Sequence, residues 1–136
     1  MVIVFSPKSR VRFTLNGKRT VLGSLWFALE DNIYVYFSVP KVFRGELVLP
    51  LSREQSSGLV DFFSDAGIRF WRIVISEPKV PFDNMLCILS FERPREGGYA
   101  VHLSTNDSVC CRHLEGSPDE LLFSWLLQNF KRDLLA

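Results

Sequence analysis

Cys110-Cys111-Arg112-His113, with His102 and Asp107 upstream, gathers the side chains best suited to metal or thiol chemistry in this 136-residue chain. Thiolate and imidazole are good zinc ligands, but structural zinc sites space their cysteines by a few residues so that both reach one ion. Adjacent cysteines on an extended segment point to opposite faces, and a bridge between them would be strained. A catalytic Cys–His pair needs its base beside the thiol and an oxyanion hole, and nothing nearby in sequence supplies the latter. The spacing argues against metal and thiol chemistry alike, and one of the two cysteines reads as a small buried hydrophobe. Asp61 and Asp65 could present paired carboxylates on one helix, but no catalytic acid or base is recognisable beside them in the sequence, and they read as a solvated helix face. The chain has no phosphate-binding glycine loop, nucleophile elbow, HExxH helix or EF-hand loop. No catalytic residue, metal ligand or cofactor is assigned from sequence. A small enzyme using His102, His113 or a cysteine is the alternative from that class.

The second chemical feature is charge. Residues 1–29 hold five basic side chains, Lys8, Arg10, Arg12, Lys18 and Arg19, and no acid, while the remaining 107 residues hold eleven basic and fifteen acidic. The net charge of +1 hides this asymmetry, which suits an anionic partner. Arg10, Arg12 and Arg19 are the candidate contacts, as guanidinium forks for carboxylate or phosphate. A protein partner with an acidic surface is the primary expectation. A nucleic-acid-binding module is the alternative, although no RNP motif, zinc finger or helix-turn-helix signature accompanies the basic segment. Tyr34, Tyr36, Phe43 and Trp71 suit base stacking and a protein core equally.

The elements that must position these residues are mostly strands. Arg10–Leu15 alternates with period two, so Val11, Phe13 and Leu15 face one way and Arg10, Arg12 and Thr14 the other. Asn16-Gly17 predicts a two-residue type I′ hairpin turn. That turn sets Thr14 opposite Arg19 and Phe13 opposite Thr20, and brings Arg19 onto the face of Arg10 and Arg12. The returning strand runs to about Leu29, with a bulge or bend expected at Gly23. Further strands are expected over 33–39, 46–51, 68–76, 85–92 and 99–104, with 109–114 left open. Strands 46–51 and 68–76 flank a helix whose crossover length permits parallel pairing.

Two helices are expected, at about 52–66 and 117–135. Ser52 with Gln55 makes a capping box for the first, and Gly67 suits a left-handed C′ position. Ser117-Pro-Asp-Glu120 offers a cap, an N1 proline and a capping box for the second. Its stripe of Phe123, Leu126, Leu127, Phe130 and Leu134 is assigned to the core. Leu121 and Trp125 fall on its opposite side, as candidate contacts for a partner or a second copy of the chain. The core is expected to take in Phe13, Leu22, Trp26, Val35, Leu59, Phe62, Phe63, Ile73 and Ile88 as well.

These elements define a single α+β domain over 1–136: a mainly antiparallel, twisted sheet of about seven or eight strands with two packed helices. Hydrophobic residues at 47% and charged residues at 23% are ordinary for a globular fold, and twelve Phe imply an aromatic core. No stretch is long and apolar enough to span a membrane, no secretory leader is recognisable, and the three cysteines are an odd number. The expectation is a cytoplasmic, non-enzymatic binding protein, an adaptor, inhibitor or regulator, acting through a protein–protein surface.

Overall fold

Period-two alternation over most of the chain leaves each strand one apolar face, and those faces must be buried together. The computed structural model describes residues 3–75, 85–106 and 110–130. The strands are β1 (Val4–Phe5), β2 (Ser9–Leu15), β3 (Arg19–Leu29), β4 (Ile33–Ser38), β5 (Leu47–Pro50), β6 (Phe70–Ile75), β7 (Leu86–Glu92), β8 (Ala100–Asn106) and β9 (Cys111–Gly116). Helix α1 (Arg53–Ser64) lies between β5 and β6, and α2 (Glu120–Asn129) follows β9. One antiparallel sheet runs in the order β5-β4-β3-β2-β9-β8-β7-β6, curled until it nearly closes into a barrel. Short β1 pairs with the end of β3, Val4 opposite Leu29, beyond the stretch that β2 covers. The α+β class and the two helices are as expected from sequence.

The inner face and both helices form the core. Phe63 of α1 stacks on Phe123 of α2 with centroids 4.1 Å apart, and Phe91 and Tyr99 meet Phe123 edge-on at 5.7 and 4.5 Å. Leu122, Phe123 and Leu126 are the buried residues of α2. Phe130 packs half-buried against the core, Ile88 is half-buried, and Leu127 is exposed, so the α2 stripe is narrower than expected. Residue Leu134 and the expected end of that helix lie outside the described residues.

Four local expectations are corrected. The parallel pairing of 46–51 with 68–76 does not occur: β5 and β6 are the two ends of the sheet, each bound to its antiparallel neighbour, and α1 connects one end to the other. Helix α1 starts with the expected Ser52–Gln55 capping box but ends without a left-handed glycine. Asp65 closes it, its Oδ1 accepting from Gly67 N–H at 2.8 Å, an Asx turn that makes positive φ unnecessary. Helix α2 is capped by Asp119, not Ser117, with Asp119 Oδ1 accepting from Leu121 N–H at 2.9 Å. Ser9 Oγ on β2 takes the Asp119 N–H at 2.8 Å, which ties the start of the helix to β2.

The fourth correction is the register of the β2–β3 hairpin. Asn16 (φ 52°) and Gly17 (φ 71°) are both left-handed, as the turn requires, and Lys18 N–H donates to Leu15 O at 3.0 Å. The ladder, however, resumes with Leu15 opposite Arg19, leaving Lys18 as an extra residue. The cause lies across the sheet: Asn16 N–H donates to His113 O and Asn16 Oδ1 accepts from His113 N–H, both at 2.8 Å, docking the turn on β9. Thr14 therefore faces Thr20 and Phe13 faces Val21. Leu22 moves from the expected core to the outside, where it is 66% exposed. Gly23 sits in a regular ladder opposite Val11 rather than in a bulge. A Cβ there would lie 2.7 Å from Ser38 O and 2.9 Å from Phe13 Cε2, so close packing explains the glycine.

Candidate functional site

Arg10 and Arg12 project from the outer face of β2, opposite Ser24 and Leu22 of β3. Both are exposed, and neither forms an ion pair with a described residue. They form a ridge between two clefts. On one side a groove of about 500 Å³ is lined by Arg10, Arg12, Leu22, Ser24, Ser38 and Pro40, with no acid among its lining residues. On the other, a cleft of about 600 Å³ has the arginines on one wall and Glu92, Glu96 and Glu115 among its remaining lining. This second cleft exists because β2 and β9 pair only through Thr14–Glu115 and Leu15–Leu114. Gly116 lets them converge there, since a Cβ would run into the Val11 side chain and come within 3.1 Å of Arg12 O.

The acidic cleft leads onto a hydrogen-bonded cluster spanning three strands. His102 on β8 lies opposite Glu115 of β9, and Ser104 lies opposite His113. Glu92 of β7 is diagonal to His102, within reach of a long side chain. His102 Nε2 is 2.8 Å from Glu92 Oε1, and His102 Nδ1 is 3.3 Å from Glu115 Oε1 and 3.5 Å from His113 Nε2. His113 Nδ1 is 2.9 Å from Ser104 Oγ. Ser104, Cys111 and His113 also line an open depression of about 260 Å³.

Beyond Ser24 on the same outer face lies an aromatic patch. Trp26 stacks on Tyr36 at 5.3 Å, Phe5 meets Tyr36 edge-on at 5.8 Å, and Lys8 Nζ sits 4.4 Å above the Trp26 ring. Trp26 is thus buried as expected, but outside the central core. Burial first, then the negative fields of Glu46, Tyr34 and Glu30, push the Tyr36 hydroxyl above its ordinary pKa.

Arg10 and Arg12 share a face as the alternation predicted. Arg19 does not join them: paired with Leu15, it belongs by parity to the opposite side of the sheet. Leu121 is 73% exposed on α2, whereas Trp125, half-buried, packs against the core. His102 and His113 meet, but Cys110 and Cys111 are not in the metal-ligand grouping found among the described residues, and Asp107 lies outside those residues. Glu92, Ser104 and Glu115 were missed. The available signal was the i, i+2 spacing of His102 with Ser104 and of His113 with Glu115, which puts each pair on one face of its strand.

The fold and surface define an α+β protein with a nearly closed antiparallel barrel and two contrasting outer clefts. No protein family model, curated protein or solved structure matches the chain. No described helix is long and apolar enough to cross a membrane.

Proposed function

We propose that the protein is a non-enzymatic binding protein, an adaptor, inhibitor or regulator, whose partner presents an acidic segment to the groove beside Arg10 and Arg12. One observation carries this reading: two neighbouring exposed arginines, without ion-pair partners among the described residues, border a groove with no acid in its lining, next to Leu22, which is 66% exposed. Guanidinium forks match carboxylates bidentately, and an apolar residue beside them gives a partner side chain area to bury. The charges act mainly on association rate and salt dependence, and Leu22 on the lifetime of the complex. Leu121, also exposed, is a second contact point, either for that partner or for another copy of the chain. Free cysteines, one of them the exposed Cys111, fit a reducing compartment such as the cytoplasm.

The test is a photo-crosslinking residue at Leu22, with and without Arg10→Glu and Arg12→Glu. An acidic protein should crosslink at low salt and be lost in the charge-reversed variant while the melting temperature holds. A crosslinked protein unaffected by charge reversal refutes the arginine ridge. Capture of nuclease-sensitive material, weakening steeply with salt, moves the reading to the nucleic-acid alternative.

A further inference from the structure

Two carboxylates and two imidazoles on β7, β8 and β9 have their charges left to one another. Glu92 and Glu115 each have His102 as their ion-pair partner, and no lysine or arginine among the described residues pairs with either. Arg10 and Arg12 line the same cleft without reaching them. One donor atom from each of Glu92, His102 and Glu115 lies within 4.8 Å of the others. Whenever His102 is neutral, two negative charges share this cluster with no cation between them.

The hydrogen bonds are compatible with one free nitrogen on each ring. Ligands on one tetrahedral zinc, with bonds of about 2.0–2.1 Å, sit about 3.3–3.4 Å apart. The 2.8 Å from Glu92 Oε1 to His102 Nε2 is shorter, a hydrogen-bond distance. An ionised carboxylate only accepts, so Nε2 carries the proton and neutral His102 offers the Nδ1 lone pair. That Nδ1 lies 3.3 Å from Glu115 Oε1 and 3.5 Å from His113 Nε2, close to the spacing of ligands on one ion. His113 directs its other nitrogen, Nδ1, to Ser104 Oγ at 2.9 Å. With Nδ1 donating there, Nε2 is a second free lone pair. Ring N–H groups held by a carboxylate and a hydroxyl are the arrangement that orients metal-bound histidines.

The geometry points to a divalent-cation site for a zinc-class ion, with His102 Nδ1, His113 Nε2 and Glu115 as ligands and Glu92 and Ser104 holding the rings. His113 stands outside the grouping of Glu92, His102 and Glu115, so the Glu115 side chain, 52% exposed, must swing to bring its carboxylate onto an ion held by both rings. Three protein ligands leave a coordination position for water. The site uses neither Cys110 nor Cys111, so the argument from adjacent cysteines, which set metal aside at the level of sequence, does not reach it.

The probe is Co²⁺, a spectroscopic stand-in for zinc, added to protein carrying Cys110→Ser and Cys111→Ser so that surface thiols contribute nothing. One equivalent should bind with visible d–d bands, and Zn²⁺ should displace it and raise the melting temperature. In the same background His102→Ala, His113→Gln and Glu115→Gln should each weaken binding by more than the roughly tenfold to hundredfold that losing an outer-shell partner costs. Glu92→Gln should weaken it less and keep the one-to-one stoichiometry. Circular dichroism matching the parent establishes that each variant is folded. Absence of stoichiometric binding in the parent overturns the site, leaving a cluster of side chains that bond only to one another. Undiminished binding in folded His102→Ala or His113→Gln overturns it equally, as adventitious association.

Discussion

Arg93 follows Glu92 directly and joins helix α1 to the β7–β8 hairpin, so replacing it tests how the candidate site is held. Its guanidinium donates to Phe62 O and Asp65 O near the end of α1, to Ile68 O at 3.0 Å and to Tyr99 Oη at 3.2 Å. It also lies over the Phe62 and Tyr99 rings at 5.1 and 5.0 Å. Helix α1 has no basic residue in its last turn, so Arg93 supplies from outside the cation that a helix C-terminus favours. Arg93→Met keeps most of the stem and removes the fork. The part-buried bond to Phe62 O contributes about 1.5–3 kcal/mol as a charge-assisted interaction. The ring contacts add about 0.5–1 kcal/mol each, and water replaces the exposed bonds to Asp65 and Ile68. The expected loss is about 2.5–5 kcal/mol, or roughly 9–18 °C in melting temperature for a chain of this size. Arg93→Lys keeps the charge without the planar fork and should fall between the two. Calorimetry alongside urea unfolding measures this, with an unchanged m-value showing that the unfolded state is unaltered. A Met variant melting within about 2 °C of wild type would refute the reasoning.

Ser56 is fully buried on α1, and its Oγ accepts from Ile33 N–H at 3.0 Å. Ser56→Ala strips a buried amide of that acceptor and should cost about 1–3 kcal/mol, read by urea unfolding. Burial pushes the Cys87 thiol from its ordinary 9.0 to about 12. Folded protein should therefore shield Cys87 from thiol reagents at pH 8 while exposed Cys111 reacts, as counted by mass spectrometry with and without denaturant. Because the folded pKa lies above the unfolded one, native protein retains the proton longer. The Cys87 contribution to stability is complete below pH 9 and is lost as pH rises from 9 to about 12; Cys87→Ala should flatten the stability profile there.

The arginine ridge was legible in the sequence because Arg10 and Arg12 are two apart on a strand whose apolar partners also alternate. The histidine–carboxylate cluster was not, because it joins β7, β8 and β9 and depends on their pairing. His102 meets Glu115 only in the register that places Leu103 opposite Leu114. Burial of Leu103 and Leu114 on the inner face favours that register over a one-residue slip, which would turn one strand's apolar side chains outward.

The sequence by itself determined the elements and the alternation within each strand, together with the left-handed Asn16-Gly17 turn, the Ser52 cap and the aromatic core residues of α1. These follow from torsional preferences and hydrophobic period within a few residues of chain. Only the tertiary structure decided how the faces meet. Docking of Asn16 on His113 inserts Lys18 as an extra residue, and because side chains alternate with period two, that single residue reverses every assignment on the returning strand. Arg19 thereby leaves the arginine face and Leu22 leaves the core. The same long-range pairing brings Glu92, His102, His113 and Glu115 from three strands into one cluster, because the side chains opposite a strand residue depend on cross-strand register as well as on its own sequence.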